Sequence, residues 1–596
     1  MNIKQKRALF IVFAAVAVLC AAALIFVAFG KNTVSQKIRS FIKYNILHYE
    51  VRSSEETVGL SDIVSETMYA DGEPTDKSNI ENGGKCLDRV YETSSLTRLV
   101  AYHDGYQIDL PAGTVFDFSQ TATRITAVGD GFAVTLTKEH SPYIFVTDEM
   151  TDGLGAYAPD FPYEDGIDQY IGYYQSRFLL NTVWQEKNGV SVSPAEVIDA
   201  NGHKGYMFHA VIDGVTTGDF DAYTYVFIKT DVRNFVRVVL KYHSNNISIR
   251  DGINGLLCNF RTFEPVGQGV SITGNYPVKN ANWSDETASL YKKLTDSDDI
   301  MWGIYTDDVF VSGINEKIPS LEAALEYDFD IVLAYIHSSG EFPGAFMNDN
   351  YERGRIVELT YQLTVNNNSD IRAFSPLLDI YKSGDSDAVR EFARAAKEFG
   401  HPFLFRLCNE MNTDWTNYSG MSNMADPDVF VKVWRDIYRI FEEESVNNCI
   451  WIFNPHDRSY PPSRWNEAIN YYPGNEYVHM IGITGYNNGT YYTKWGEQWR
   501  EFDVIYDAIE SEYGEMFGAF PWIITEFASS SYGGDKAAWI DNMFENIGKY
   551  KNIKAAVWFS SADYDTDGVA ARPYWLDESE ETLAAFKKGL KKYSSK

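Results

Sequence analysis

At 596 residues the chain is too long for one core, since single hydrophobic cores stop growing at roughly 250 to 300 residues, so two folded units plus connections are expected. Its 52 Lys and Arg against 83 Asp and Glu give a net charge of -31, which excludes nucleic acid as a partner and suits a neutral ligand. Five cysteines without a CxxC pair indicate neither a zinc site nor a disulfide-dense scaffold, and no Gly-rich phosphate loop follows a strand. No metal and no cofactor are therefore expected.

Taken in order, residues 8–29 are apolar throughout and without a charge, long enough to cross a hydrocarbon core of about 30 Å. They predict a transmembrane anchor that follows a short cytoplasmic tip, within residues 1–30. Residues 31–85 are polar and mixed and read as a stalk. From 86 to 265 short alternating strands surround a helical stretch over 167–188, predicting an α+β sandwich with a twisted antiparallel sheet, similar in pattern to domains of the PsbP and Mog1 kind. Cys86 and Cys258 are candidates for a bridge in that domain.

Composition shifts near residue 280, where twelve of the thirteen Trp begin to accumulate, and residues 266–294 read as a linker into a new domain over 295–596. Eight strand-like runs follow, at 301–305, 330–336, 356–363, 402–410, 449–455, 480–487, 522–528 and 555–561. Between most of them lie helix-period segments, with N-cap signals at Asp385 to Asp387 and Asp426 to Asp428 and stops at Gly400 and Gly514. Strand and helix alternate through eight repeats. With right-handed crossovers the economical fold is a (β/α)8 TIM barrel, so the fold class is α/β with the smaller α+β domain in front.

In such a barrel catalytic groups stand at the carboxyl ends of the strands. The apolar run Pro402 to Cys408 breaks into Asn409, Glu410 and Asn412, and Trp522 to Thr525 lead to Glu526. Two carboxyls on opposite walls of one crevice are what glycosidic cleavage needs: one protonated for the leaving oxygen, one ionised to attack the anomeric carbon. A tyrosine at a strand end can donate to a carboxylate, and indoles offer flat apolar faces to sugar rings.

FRLCNEMNTDW, YYPGNEYVHMIGITGYN and PWIITEF, in that order and spacing, resemble glycoside hydrolase family 26, whose members are retaining clan A enzymes, mainly endo-β-mannanases. The resemblance covers roughly residues 295–590. It implies Glu410 as acid/base, Glu526 as nucleophile, Arg406 as the arginine of the motif, Tyr486 as the tyrosine that hydrogen-bonds the nucleophile, and Trp415 and Trp558 as aromatics lining the sugar sites. The family motif has His before the acid/base, where this chain has Asn409. Asn at that place elsewhere in clan A contacts the sugar 2-hydroxyl, the group that distinguishes mannose from glucose.

His337 at the second strand end is a further substrate-binding candidate, and His456 and Asp457 at the fifth could shape a subsite. Asp563, Asp565, Asp567 and Gly568 imitate the start of a calcium loop, but Tyr574 stands at the twelfth position, and a hydrated loop near the cleft is preferred. The expected whole is a membrane-anchored, extracellular retaining β-glycanase acting on mannan, β-glucan or an exopolysaccharide, single-pass in the cell membrane. A polysaccharide synthase or another envelope component is a possible partner of the accessory domain. The alternative is a catalytically silent glycan-binding or polysaccharide-assembly scaffold.

Overall fold

A computed structural model describes residues 60, 62–75, 88–144, 161, 164–365 and 373–592. Contacts divide the chain into two compact units, one from residues up to 181 with 192–211 and 220–270, the other from 182–191, 212–219 and 271 onward. The first unit holds two antiparallel sheets. A six-stranded sheet runs in the order Arg261–Thr262, Tyr106–Pro111, Leu96–Ala101, Arg89–Glu92, Ser65–Ala70, Glu73–Thr75, and an eight-stranded sheet is built around His203–Ile212, Ala222–Lys229, Asn234–Tyr242 and Phe132–His140. Leu99, Ile108, Val134, Val226 and Val238 are among the alternating residues that form its core.

Several expectations for this part are corrected. The stretch read as a stalk contributes Ser65–Ala70, which pairs with Arg89–Glu92, so the sheet begins before residue 85. Helix does not run unbroken over 167–188. It ends at Arg177 and restarts at Thr182, because Phe178 turns to φ -129 and ψ -84. Cys258 carries a free thiol, and Cys86, its candidate partner, lies outside the described residues.

The location in a membrane is corrected too. No helix among the described residues is long and apolar enough to cross a membrane, against the expected single-pass location; the apolar segment 8–29 lies outside the described residues.

The second unit contains a closed barrel of eight parallel strands. They are β1 (Met301–Thr306), β2 (Ile331–His337), β3 (Ile356–Gln362), β4 (Phe403–Leu407), β5 (Cys449–Phe453), β6 (Met480–Thr484), β7 (Trp522–Phe527) and β8 (Ile553–Ser560). Each runs pair with its neighbour, and β8 closes on β1. Side chains alternate between the interior and the helices outside. Leu333, Leu404, Ile450, Ile452, Met480, Ile523, Ala555 and Val557 fill the interior away from the strand ends that carry the acids.

The stretch read as a linker is part of this packing. Helix Asp285–Asp296, capped by Ser284 on the Thr287 N–H, sends Tyr291 and Leu294 into the barrel core, and Trp283 donates to the Cys449 carbonyl at 3.0 Å. Helix Asp387–Phe399 is capped by Ser386 and stops at Gly400, whose φ of 74° is the left-handed conformation glycine adopts without a Cβ penalty. Gly514 is no stop: helix Phe502–Phe517 passes through it to Gly518.

Candidate active site

The polar end of the barrel begins where the strands run out. β4 ends at Leu407, and Cys408 and Glu410 take positive φ values of 49° and 59°, so the chain leaves the strand in a tight left-handed turn rather than continuing extended to 410. The Glu410 N–H donates to the Asn454 carbonyl at 2.8 Å, and its own carbonyl accepts from the Thr413 hydroxyl at 2.7 Å. Among the described residues one donor reaches its carboxyl, the Trp415 indole N–H at 3.1 Å from Oε2. Burial raises the Glu410 pKa, with His456 and the indole opposing the shift and the Glu526 charge adding to it.

Glu526 lies inside β7, one residue before its end, and 6% exposed. The β6–β7 register slips between Ile483 and Thr484, and that irregularity lets successive residues Thr525 and Glu526 both reach inward groups. Arg406 Nη1 stands 2.5 Å from Glu526 Oε1, and the Tyr486 hydroxyl donates to Oε2 at 2.8 Å. Asn409 Nδ2 adds a longer contact of 3.4 Å, and the Tyr335 hydroxyl is a further hydrogen-bonding neighbour. Such donors favour a charged acceptor.

Arg406 is fully buried and held from several sides. Its Nε donates to Thr360 Oγ1 at 2.6 Å, Nη1 also donates to Asn454 Oδ1 at 2.9 Å, and its guanidinium carbon lies 5.3 Å from the Tyr335 ring centre. Glu358, also fully buried, stands 3.3 Å from Nε, and among the described residues none donates a hydrogen bond to either of its oxygens. Burial pushes its pKa up to about 8, Arg406 opposing and Glu526 reinforcing the shift.

The two acids line one cleft of about 800 Å³, with Trp415, Tyr460, Tyr486, Phe559 and Tyr574 among its walls. Trp415 is 42% exposed, its ring 5.1 Å from those of His456 and Tyr460. Asn409 is fixed by Tyr418 and Gln362, which donate to its Oδ1 at 2.9 and 3.1 Å. The cleft thus gathers Glu410, Glu526, Tyr486 and Trp415, with Arg406 and Asn409 in contact with Glu526. His456 joins the wall. Asp457 ion-pairs with Arg500 at 2.6 Å, which holds its pKa down against burial together with His456 and Arg458.

Two candidates are not brought to the wall. Trp558 is fully buried among Phe527, Trp539 and Phe586, and its indole N–H donates to the Tyr574 carbonyl at 2.9 Å. Alternation on β8 turns it to the helices and gives the inward place to Phe559, which stacks on Tyr305 at 4.6 Å. His337, at the end of β2, has its Nδ1 3.4 Å from Thr364 Oγ1 and is not among the cleft residues. In the acidic loop Asp565 accepts from the Val569 N–H at 2.9 Å and the Tyr491 hydroxyl at 2.5 Å, while Asp563 pairs with Arg572 at 2.7 Å. No group of three or more possible metal ligands occurs among the described residues.

Sequence reasoning missed Tyr335, Asn454, Tyr460 and Phe559. Tyr335 and Phe559 carried a usable signal, since both sit at inward positions of strands whose neighbours two residues earlier, Leu333 and Val557, belong to the core.

Residues 378–562 match the model of Glycosyl hydrolase family 26. Endoglucanase H of Acetivibrio thermocellus is 30% identical over 267 residues, 44% of this chain and 27% of that relative, so the match spans about a quarter of the relative's length. Among solved structures, the catalytic domain of a Bacillus sp. JAMB-750 GH26 endo-beta-1,4-mannanase is 18% identical with a TM-score of 0.40, over 54% of this chain and 94% of its own. A GH26 beta-mannanase from Bacteroides ovatus is 13% identical with a TM-score of 0.38, over 52% and 93%.

Proposed function

The barrel carries a glycosyl hydrolase family 26 domain, and from that premise we propose that the chain hydrolyses a β-linked glycan with retention of configuration, Glu526 as nucleophile and Glu410 as acid/base. The observation that carries this reading is the unequal surrounding of the two acids. Glu526 ion-pairs with Arg406 and accepts from Tyr486, whereas Glu410, with one indole donor among the described residues, is pushed by burial toward its protonated form.

Protonated Glu410 delivers its proton to the leaving oxygen as Glu526 attacks the anomeric carbon, giving a covalent glycosyl-enzyme. Glu410, now ionised, takes a proton from water, and the resulting hydroxide character displaces Glu526. Arg406 and Tyr486 orient the attacking oxygens and receive the carboxylate again when the ester breaks. Trp415 both steadies Glu410 and offers an indole face to the sugar on the leaving-group side. A cleft of about 800 Å³ with Trp415, Tyr460, Tyr486, Phe559 and Tyr574 among its walls supports binding of several sugar units, and so cleavage within a chain.

The test is product release from mannan, mixed-linkage β-glucan, cellulose and β-1,3-xylan, beside Glu410→Gln and Glu526→Gln. Product from one polymer, lost in both variants, is expected and names the substrate. Product that survives Glu526→Gln contradicts the assignment.

A further inference from the structure

Asn454 follows β5 directly and is fully buried. Its main-chain carbonyl accepts the Glu410 N–H at 2.8 Å. Its side-chain oxygen accepts Arg406 Nη1 at 2.9 Å, and that same nitrogen stands 2.5 Å from Glu526. One residue therefore touches the turn that carries Glu410 and the arginine that carries Glu526.

The amide orientation follows from its surroundings. Oδ1 faces the obligate donor Arg406 and the Thr525 and Thr484 hydroxyls at 2.9 and 3.5 Å, while Nδ2 donates to the Pro455 carbonyl at 3.0 Å and lies 3.2 Å from Thr484 Oγ1. A flipped amide would set Nδ2 against the guanidinium. Room for the side chain comes from β6, where a Cβ on Gly482 would lie 2.8 Å from the Asn454 Cβ. Thr525, which fixes Oδ1 from the other side, is the residue before Glu526.

We propose that Asn454 is a positioning residue that sets the separation of the two carboxyls, with its main chain braced against Glu410 and its side chain against Arg406 and hence Glu526. The inference rests on the glycosidase reading, since a retaining reaction needs the two groups about 5 to 5.5 Å apart. Both braces belong to one rigid residue at a strand end, so a displacement of either acid must move the other. Neutrality of the amide matters as much as its shape. An acid at this position would share Arg406 Nη1 with Glu526, and Glu358 already faces the same guanidinium from 3.3 Å.

The variants are Asn454→Asp, which keeps the shape and adds an anion, and Asn454→Ser, which shortens the reach. Each is assayed on the polymer the wild type cleaves, with kcat, KM and the pH profile of kcat/KM. Misplacement of about 1 Å can cost about 100-fold. Asn454→Ser is expected to lose about 30- to 100-fold in kcat with KM within threefold. In Asn454→Asp the acid limb of kcat/KM is expected to move up by about one pH unit, because a second anion then competes for the Arg406 guanidinium. A purely structural role would leave that limb in place.

Wild-type kcat in both variants, or an unmoved acid limb in Asn454→Asp, overturns the proposal. A crystal structure of Asn454→Ser needs no turnover and separates the two readings should the wild type release no product. The Glu410 to Glu526 separation is expected to change by about 1 Å, and an unchanged separation overturns the brace whatever the activity. Should Asn454→Ser fail to fold, the Asn454→Asp profile decides by itself.

Discussion

Glu410 and Glu526 are the same functional group a few steps apart in one cleft, and the chain surrounds them differently. Glu526 sits within a strand, 6% exposed, ion-paired with an arginine and accepting from a tyrosine. Glu410 sits beyond a strand, on left-handed backbone, with one indole N–H on its carboxyl and burial raising its pKa. The contrast teaches that the proposed division of roles is built from backbone placement. A strand residue meets the barrel's inward donors, whereas a turn residue leaves them behind.

The contrast can be broken most severely at Glu526. Glu526→Gln is expected to cost about 10⁴-fold or more in kcat, the scale on which enzymes lose a nucleophile; retained turnover would abolish the distinction. Glu410→Gln is expected to cost about 10²- to 10⁴-fold on a polymer with a poor leaving group, and much less on an activated aryl glycoside, which needs no acid. The wild-type alkaline limb follows from the same residue. Protonated Glu410 is lost as pH rises through its raised pKa, so kcat/KM on the polymer falls in alkali and falls less on the aryl glycoside.

Trp558 lies outside both surroundings. Trp558→Ala is expected to lower stability by about 3 to 5 kcal/mol, the range for removing a buried aromatic, with KM of the surviving enzyme unchanged, whereas Phe559→Ala is expected to raise KM. Calorimetry beside kinetics separates the two. Tyr486→Phe removes one donor from Glu526 and is expected to cost about tenfold in kcat/KM.

The last effect is on stability alone and belongs to Glu358. Its native pKa near 8 exceeds that of an unfolded Glu, so the native chain holds a proton that the unfolded chain releases. Stability from this group is complete below about pH 4 and is lost as pH rises to about 8. Denaturant melts between those limits should show the decline in wild type, and Glu358→Gln should flatten it.

All eight barrel strands were legible, because each is a short apolar run between helix-period segments, and Glu410 and Glu526 stood out as acids where such runs end. Their surroundings were not. Trp558 was misassigned because its neighbour Phe559 is equally aromatic, and a one-residue change of face exchanges core and cleft. Tyr335 and Asn454 act through partners on other strands, and no spacing along the chain records the slip between β6 and β7 that admits Thr525 and Glu526 together. Gly514 misled because a helix packed by Tyr513 and Phe517 tolerates a glycine that propensity alone would make a stop.

The most direct test of the division between the two acids is to quench Glu410→Gln during turnover of an activated aryl glycoside of the cleaved sugar and locate the sugar by peptide mass spectrometry. The account expects a glycosyl ester on Glu526, accumulating because the second step lacks its base. A sugar attached elsewhere, or free product of inverted configuration with no ester formed, would contradict it.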